Sequence, residues 1–265
     1  MQSILQKYRA KLYHAINLRD FEAYCKTGFL LCREDLEAEE ADFTRFSTDS
    51  KDREIDVWNR VFGNLKDIGS YFWSKDESVP NAYGPITLVF NDRVWPTLTD
   101  LTITSQTVTN GKAKVLTEAD IDESFVQKGQ YYNLKDGLSA IEINASNRRI
   151  PLSDLAYILV DNISVEGRAL IDRVQATIRS YPNLSITDKQ IKSRIEYKQG
   201  RTARMAEFVA LALELKGATM GVYGDGLNGH LPEKIRGMYQ NLPPPHRNAL
   251  SSWLAYTYCG TLRIL

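Results

Sequence analysis

The residues best suited to chemistry gather near the start of the chain, in Leu12-Tyr13-His14-Ala15-Ile16-Asn17-Leu18. The apolar pattern makes this stretch a strand end running into a helix, with His14 and Asn17 at the junction. An imidazole there can donate or accept at its ring nitrogens, and a carboxamide three residues on can do both. Such a pair can hold a ligand hydroxyl, a ribose hydroxyl for instance. By itself it is more often a histidine satisfied inside a turn.

Other chemistries find less support. His14, His230 and His246 lie far apart, and no H-E-x-x-H pair or Cys/His cluster has metal-ligand spacing, so a metal site is not expected. Cys25 and Cys32 stand seven apart, outside zinc spacing, and with Cys259 read as reduced core thiols. A thiol–imidazole nucleophile pair stays open without local support. There is no phosphate-binding loop, no dinucleotide fingerprint and no G-x-S-x-G elbow, and Gly221-Val222-Tyr223-Gly224-Asp225-Gly226 reads as a turn. Asp120, Asp122 and Glu123 could hold Mg2+ in a nuclease, or simply cap a helix.

Composition narrows the class further. Apolar residues make up 43% of the 265, enough to fill a core, and 33 basic residues balance 33 acidic ones. Neutrality disfavours wholesale capture by nucleic acid or an anionic membrane, although a local groove survives it. The first eleven residues carry charges and no apolar core of a leader, and no run nears the ~20 residues a membrane span needs. A cytoplasmic protein without a membrane partner is the expectation.

The elements that must position the pair follow from local pattern. Leu18, Phe21 and Tyr24 predict a helix over 18–26, stopped by Thr27-Gly28. Strands are expected at Phe29–Cys32, Ile86–Phe90, Leu101–Thr104, Ala140–Ile143 and Ala156–Val160. Asn110-Gly111 predicts a hairpin between Thr107–Thr109 and Lys112 onwards. Leu170, Val174 and Ile178 predict a helix over 165–180, and composition favours another over 202–215 and one over 247–258. Residues 33–56 are charge-rich and read as an exposed insertion. Strands and helices without βαβ alternation give an α+β fold, in one domain spanning 1–265.

The order His-x-x-Asn-Leu, short helix, Gly, strand resembles the opening of DarT-like ADP-ribosyltransferases. Phe90-Asn91-Asp92-Arg93 is similar to that family's Phe-Asn-Pro-Arg segment, with Asp92 in place of the proline. Ala206-Glu207-Phe208 resembles the Ala-Glu-Phe around its catalytic glutamate. The matches cover some fifteen residues, and their order along the chain adds weight.

The resemblance implies an ADP-ribosyltransferase-like split, antiparallel-rich sheet with flanking helices, and NAD as co-substrate in the cleft between its halves. It puts His14 and Asn17 on NAD, with Tyr71 or Tyr83 stacked on nicotinamide. Glu207 would hold a ribose hydroxyl, steady the oxocarbenium-like charge that builds on the ribose or deprotonate the acceptor, and Arg93 would hold the diphosphate or steady a nearby intermediate. Glu196 is the reserve carboxylate. A helix over 202–215 would instead keep Glu207 off the central strand. DNA or RNA as acceptor, a toxin or phage-defence role and a neutralising antitoxin are further implications. Asn147-Arg148-Arg149 and Lys189–Arg204 are the basic segments that could line a nucleic-acid groove. The rival expectation is a non-catalytic interaction protein, and after it the nuclease.

Overall fold

The run Ile86-Thr87-Leu88-Val89-Phe90 has no polar alternation, which is what a strand covered on both faces requires. In the computed structural model all five residues are buried and form an interior strand of the main sheet. The structure describes residues 1–41, 43, 49–67, 84–109, 111–135, 138, 141–161, 164–165 and 168–193. In chain order the first elements are α1 (Gln2–Lys7), β1 (Leu12–Ile16), α2 (Leu18–Thr27), β2 (Phe29–Leu31), α3 (Arg33–Ala38) and α4 (Asp49–Glu54). Next come β3 (Val61–Asn64), β4 (Ile86–Phe90), β5 (Thr102–Thr104), α5 (Glu118–Ser124), β6 (Phe125–Lys128) and β7 (Tyr131–Leu134). The rest are β8 (Glu142–Ala145), β9 (Arg149–Pro151), β10 (Leu155–Val160), β11 (Ser164–Val165), β12 (Arg168–Ala169), α6 (Leu170–Arg179) and β13 (Ile191–Ser193).

Seven strands form the main sheet in the order β13-β10-β4-β1-β3-β8-β5, antiparallel except between β10 and β13. This is the mixed α+β architecture that the sequence predicts. Helix α2 begins at Asn17, in extended backbone, and ends at Gly28, whose φ of 79° supplies the left-handed cap. It buries Leu18, Phe21 and Tyr24 and packs against α6, whose Leu170, Val174 and Ile178 are buried as their spacing predicts. Trp95, fully buried, donates its indole N–H to the Ala10 carbonyl at 2.7 Å and ties α1 to the end of β4.

Two expectations need correction. Residues 33–56 are not simply an exposed insertion: α3 buries Asp35 and Leu36, and Phe43 is buried beyond it. Charge density misleads here because Asp35 is spent on ion pairs. It accepts from Arg148 Nε at 2.7 Å and Arg149 Nε at 2.6 Å, joining α3 to β9 across the fold. Burial works against its charge, but the two arginines outweigh that and hold the carboxyl below its ordinary value. Asp35→Ala is expected to cost about 1–2 kcal/mol in urea unfolding, since both arginines stay half exposed and solvated.

The second concerns Asn110-Gly111. Residues 107–109 form no strand, and residue 110 lies outside the described ones. The return is irregular, with Ser105 N–H donating to Lys114 and a single bridge between Thr104 and Val115. Among the described residues no helix is long and apolar enough to cross a membrane.

Candidate functional site

Strand β1 pairs with β4 along five residues but meets β3 at one pair only, Tyr13 with Asn64. A cavity of about 190 Å3 lies against β1 and β3. His14 and Ile16 from β1, Asp20 and Tyr24 from α2, and Phe62 and Asn64 from β3 line it, with Glu142 from β8. Arg33, Trp58 and Arg60 complete the wall around it.

His14 is fixed in one state. Its Nδ1 lies 2.7 Å from the Phe62 carbonyl, and since a carbonyl only accepts, Nδ1 carries the hydrogen. Burial disfavours the charged ring; the Phe62 bond pushes the other way and Arg33 adds to the lowering, for a pKa of about 4. At neutral pH the ring is therefore uncharged, and its Nε2 is a hydrogen-bond acceptor. The Tyr24 ring stands 6.0 Å away, centroid to centroid.

Glu142 is the second titrating group of the cavity. Burial pushes its carboxyl up to about 7, with the Val108 N–H, 2.7 Å away, pulling down and Asp52 pushing up. Arg33 lies 3.9 Å from Asp20 and over the Phe43 ring, while Arg60 donates to the Asp100 carbonyl. Arg60 Nε is buried and has no partner among the described residues. The wall thus offers a neutral acceptor, the carboxyls of Glu142 and Asp20, two guanidinium groups and the rings of Tyr24, Phe62 and Trp58. That set suits a ligand with hydroxyls, an aromatic ring and negative charge.

Of the residues that the sequence singled out, His14 is on this wall. Asn17 is buried one residue past Ile16, at the N-cap of α2, without a side-chain bond to the helix. Arg93 is elsewhere. Phe90 pairs with Leu12 and Ile86 with Ile16, so Arg93 lies beyond the Leu12 end of the ladder, exposed. The strand pair separates the two ends by about 13 Å. Tyr71, Tyr83, Glu196 and Glu207 lie outside the described residues. Asp20, Tyr24, Arg33, Arg60 and Glu142 were not anticipated. Only Asp20 and Tyr24 left a trace in the sequence, at helical spacing from Asn17.

Several other candidates are occupied with structure. Cys25 and Cys32 are buried and their thiols pushed up by that burial, and Cys32 Sγ caps α3 by accepting from Asp35 N–H. Asp120 forms a capping box with Thr117, and Asp122 accepts from Lys7 and Tyr8, each at 2.7 Å. Arg148 and Arg149 are half exposed and paired with Glu34, Asp35 and Glu39, so this basic segment braces α3. Of Lys189–Arg204, only the first five residues are described.

Fold and site together define an α+β protein with a cavity set against an antiparallel-rich sheet. Structure comparison finds it similar to Thermus sp. 2.9 DarT in complex with ADP-ribosylated ssDNA, at 12% identity and a TM-score of 0.48, over 72% of this chain and 97% of that one. Thermus sp. 2.9 DarT in complex with NAD+ gives 11% identity and 0.45, over 72% and 98%. Thermosipho africanus DarTG in complex with ADP-ribose gives 9% and 0.42, over 64% of this chain and 47% of that one. No protein-family model and no curated protein matches the chain.

Proposed function

We propose that the protein is an NAD-dependent ADP-ribosyltransferase, with the nicotinamide riboside end of NAD entering the cavity against β1 and β3. The observation that carries this reading is His14: neutral, held by Phe62, with Nε2 as an acceptor on the wall of the cavity. Its place in the His-x-x-Asn-Leu motif supports the same reading. At about 190 Å3 the cavity is smaller than the roughly 300 Å3 at which sites for whole small ligands begin. It would enclose one end of a dinucleotide and leave the remainder over the rim.

In this reading His14 accepts a ribose hydroxyl and Asn17 supports the same end of the ligand. Tyr24 or Trp58 covers the nicotinamide, a part that the sequence reading offers to Tyr71 or Tyr83. Arg33 and Arg60 face the diphosphate, the part that the match gives to Arg93. Cleavage of the nicotinamide–ribose bond builds positive charge on the ribose, which a carboxylate stabilises. Glu207 is that carboxylate by motif. The acceptor is a nucleic-acid base, and the biological role that of a cytoplasmic toxin or phage-defence effector under a neutralising antitoxin.

The test is nicotinamide release from NAD by the full chain, followed by chromatography. Turnover is expected, falling about tenfold or more in His14→Ala and, with the melting temperature retained, in Glu207→Gln. Absence of both turnover and an NAD-dependent rise in melting temperature would sink the reading. Metal-dependent cleavage of nucleic acid would then point to the nuclease, and neither activity to an interaction protein.

A further inference from the structure

We propose that a second groove, between α1, the start of β1 and the β6–β7 hairpin, is an effector site for a nucleoside triphosphate bound without a metal ion. Its volume of about 790 Å3 falls within the roughly 300–1,000 Å3 of sites that enclose a whole small ligand. It shares no lining residue with the cavity at His14. Tyr13 lines it, and successive residues of a strand point to opposite faces, so it opens on the other side of β1 from His14. This ligand is separate from the reactants of the proposed transfer, and its test uses no NAD.

Lys7, Arg9, Lys11, Lys66 and Lys128 line the groove, and no Asp or Glu does among the described residues. In a chain whose 33 basic residues balance 33 acidic ones, this is a local excess of positive charge. Asp122 stands beside it and accepts from Lys7 and Tyr8, which leaves Arg9, Lys11, Lys66 and Lys128 as the main cations. A single phosphate group carries about −1.5 to −2, so cations in this number call for several phosphates in one ligand. Mg2+ reaches a phosphate chain through protein carboxylates, and none lines this groove among the described residues. Ammonium and guanidinium groups take the metal's place on the phosphate oxygens.

Arg9 holds a backbone position that disfavours it. Helix α1 ends in a Schellman arrangement, with Ala10 N–H bonded to the Leu5 carbonyl and Arg9 N–H to that of Gln6. Glycine is the usual occupant of the left-handed residue at such a turn. Here that residue is Arg9, with φ at 48°. A guanidinium, able to grip phosphate oxygens through two parallel N–H groups, is thus kept on the groove wall against backbone preference.

Rings on the hairpin side suit the base. Tyr8 stacks on Phe125 with centroids 4.4 Å apart and meets Tyr132 edge-on at 4.9 Å. This platform leaves Tyr131 74% exposed and Tyr132 43% exposed. Gln130 and Asn133 line the groove beside them, with donors and acceptors for the edge of a base. A patch of rings next to grouped cations fits a planar base that carries a phosphate chain. Inorganic polyphosphate would use the cations and leave the rings idle.

Isothermal titration calorimetry on the full chain, in a chelating buffer at low salt, tests this with ATP, GTP and inorganic tripolyphosphate. ATP or GTP is expected to bind, and tripolyphosphate to bind about threefold or more weaker, since it lacks the ring. Arg9→Gly should weaken the nucleotide about tenfold or more while the melting temperature holds or rises, because glycine relieves the left-handed strain. Tyr131→Ala should weaken it about threefold at unchanged melting temperature, the ring being exposed. The proposal is overturned by any of four results. Neither nucleotide binds, tripolyphosphate binds as tightly as they do, binding requires Mg2+, or both variants bind like the parent protein.

Discussion

Gly84→Ala is expected to destabilise the protein by about 3–5 kcal/mol, or to leave it unable to fold. Gly84 sits just before β4 with φ at 120°, a backbone conformation that side chains rarely adopt. A Cβ there would lie 2.2 Å from both the carbonyl carbon and oxygen of Ile16 and 2.7 Å from the Asn17 nitrogen. All three are backbone atoms at the junction of β1 and α2. They cannot swing aside as a side-chain end can, so the end of β1 would have to part from the start of β4. Gly63 offers a graded comparison. Its added Cβ would meet Leu12 Cδ1 at 2.4 Å, a flexible end, but also the Tyr13 carbonyl oxygen at 2.9 Å. Gly129, in the β6–β7 turn with φ at 65°, has nothing within 4 Å and keeps only the conformational cost of about 1 kcal/mol. Urea unfolding of the three alanine variants should rank the losses Gly84, Gly63, Gly129. Equal losses at Gly84 and Gly129 would mean that the close approach at Ile16 does not exist. On the proposed NAD reading, a Gly84 variant that still folds should bind NAD poorly, because the displaced backbone carries His14 and Asn17.

The sequence revealed what depends on neighbours in the chain and concealed what depends on distant partners. Helices α2 and α6, strand β4 and the capping box of α5 follow from spacing and residue type. The seat of His14 was legible as a strand end. Its bonding partner was not, since Phe62 lies 48 residues away and acts through a carbonyl that every residue possesses. Glu142 looked like an ordinary strand residue until β8 packed beside β3 and brought it to the cavity. Arg148 and Arg149 looked like free cations because Asp35 is 113 and 114 residues distant. Arg93 shows the limit of order as evidence. It follows β4 where the motif match expects it, yet the antiparallel pairing of β1 and β4 carries it to the opposite end from the cavity.

Between pH 4.5 and 6.5, His14 and Glu142 are expected to pull stability in opposite directions, and single substitutions should expose each. His14 has its pKa lowered from 6.5 to about 4, so across that window the unfolded chain binds the extra proton. Its contribution to stability is therefore complete above 6.5 and lost as pH falls towards 4. Glu142 is raised from 4.5 to about 7, so across its window the folded chain binds the extra proton. Its contribution is present below 4.5 and lost as pH rises towards 7. Each slope approaches about 1 kcal/mol per pH unit, and where the windows overlap the two nearly cancel. Glu142→Gln keeps the shape and removes the falling part, so its stability relative to the parent should climb by about 2 kcal/mol from pH 4.5 to 6.5. His14→Gln should decline relative to the parent over the same range and by a similar amount. Taking each variant minus parent cancels every other carboxylate, Asp35 included. The measurement is urea unfolding at closely spaced pH values, and a flat difference for both variants would show that neither group is desolvated. The same two groups give NAD turnover, where present, separate pH limbs: His14 keeps Nε2 as an acceptor down to about pH 4, whereas a limb near pH 7 belongs to Glu142 and should vanish in Glu142→Gln.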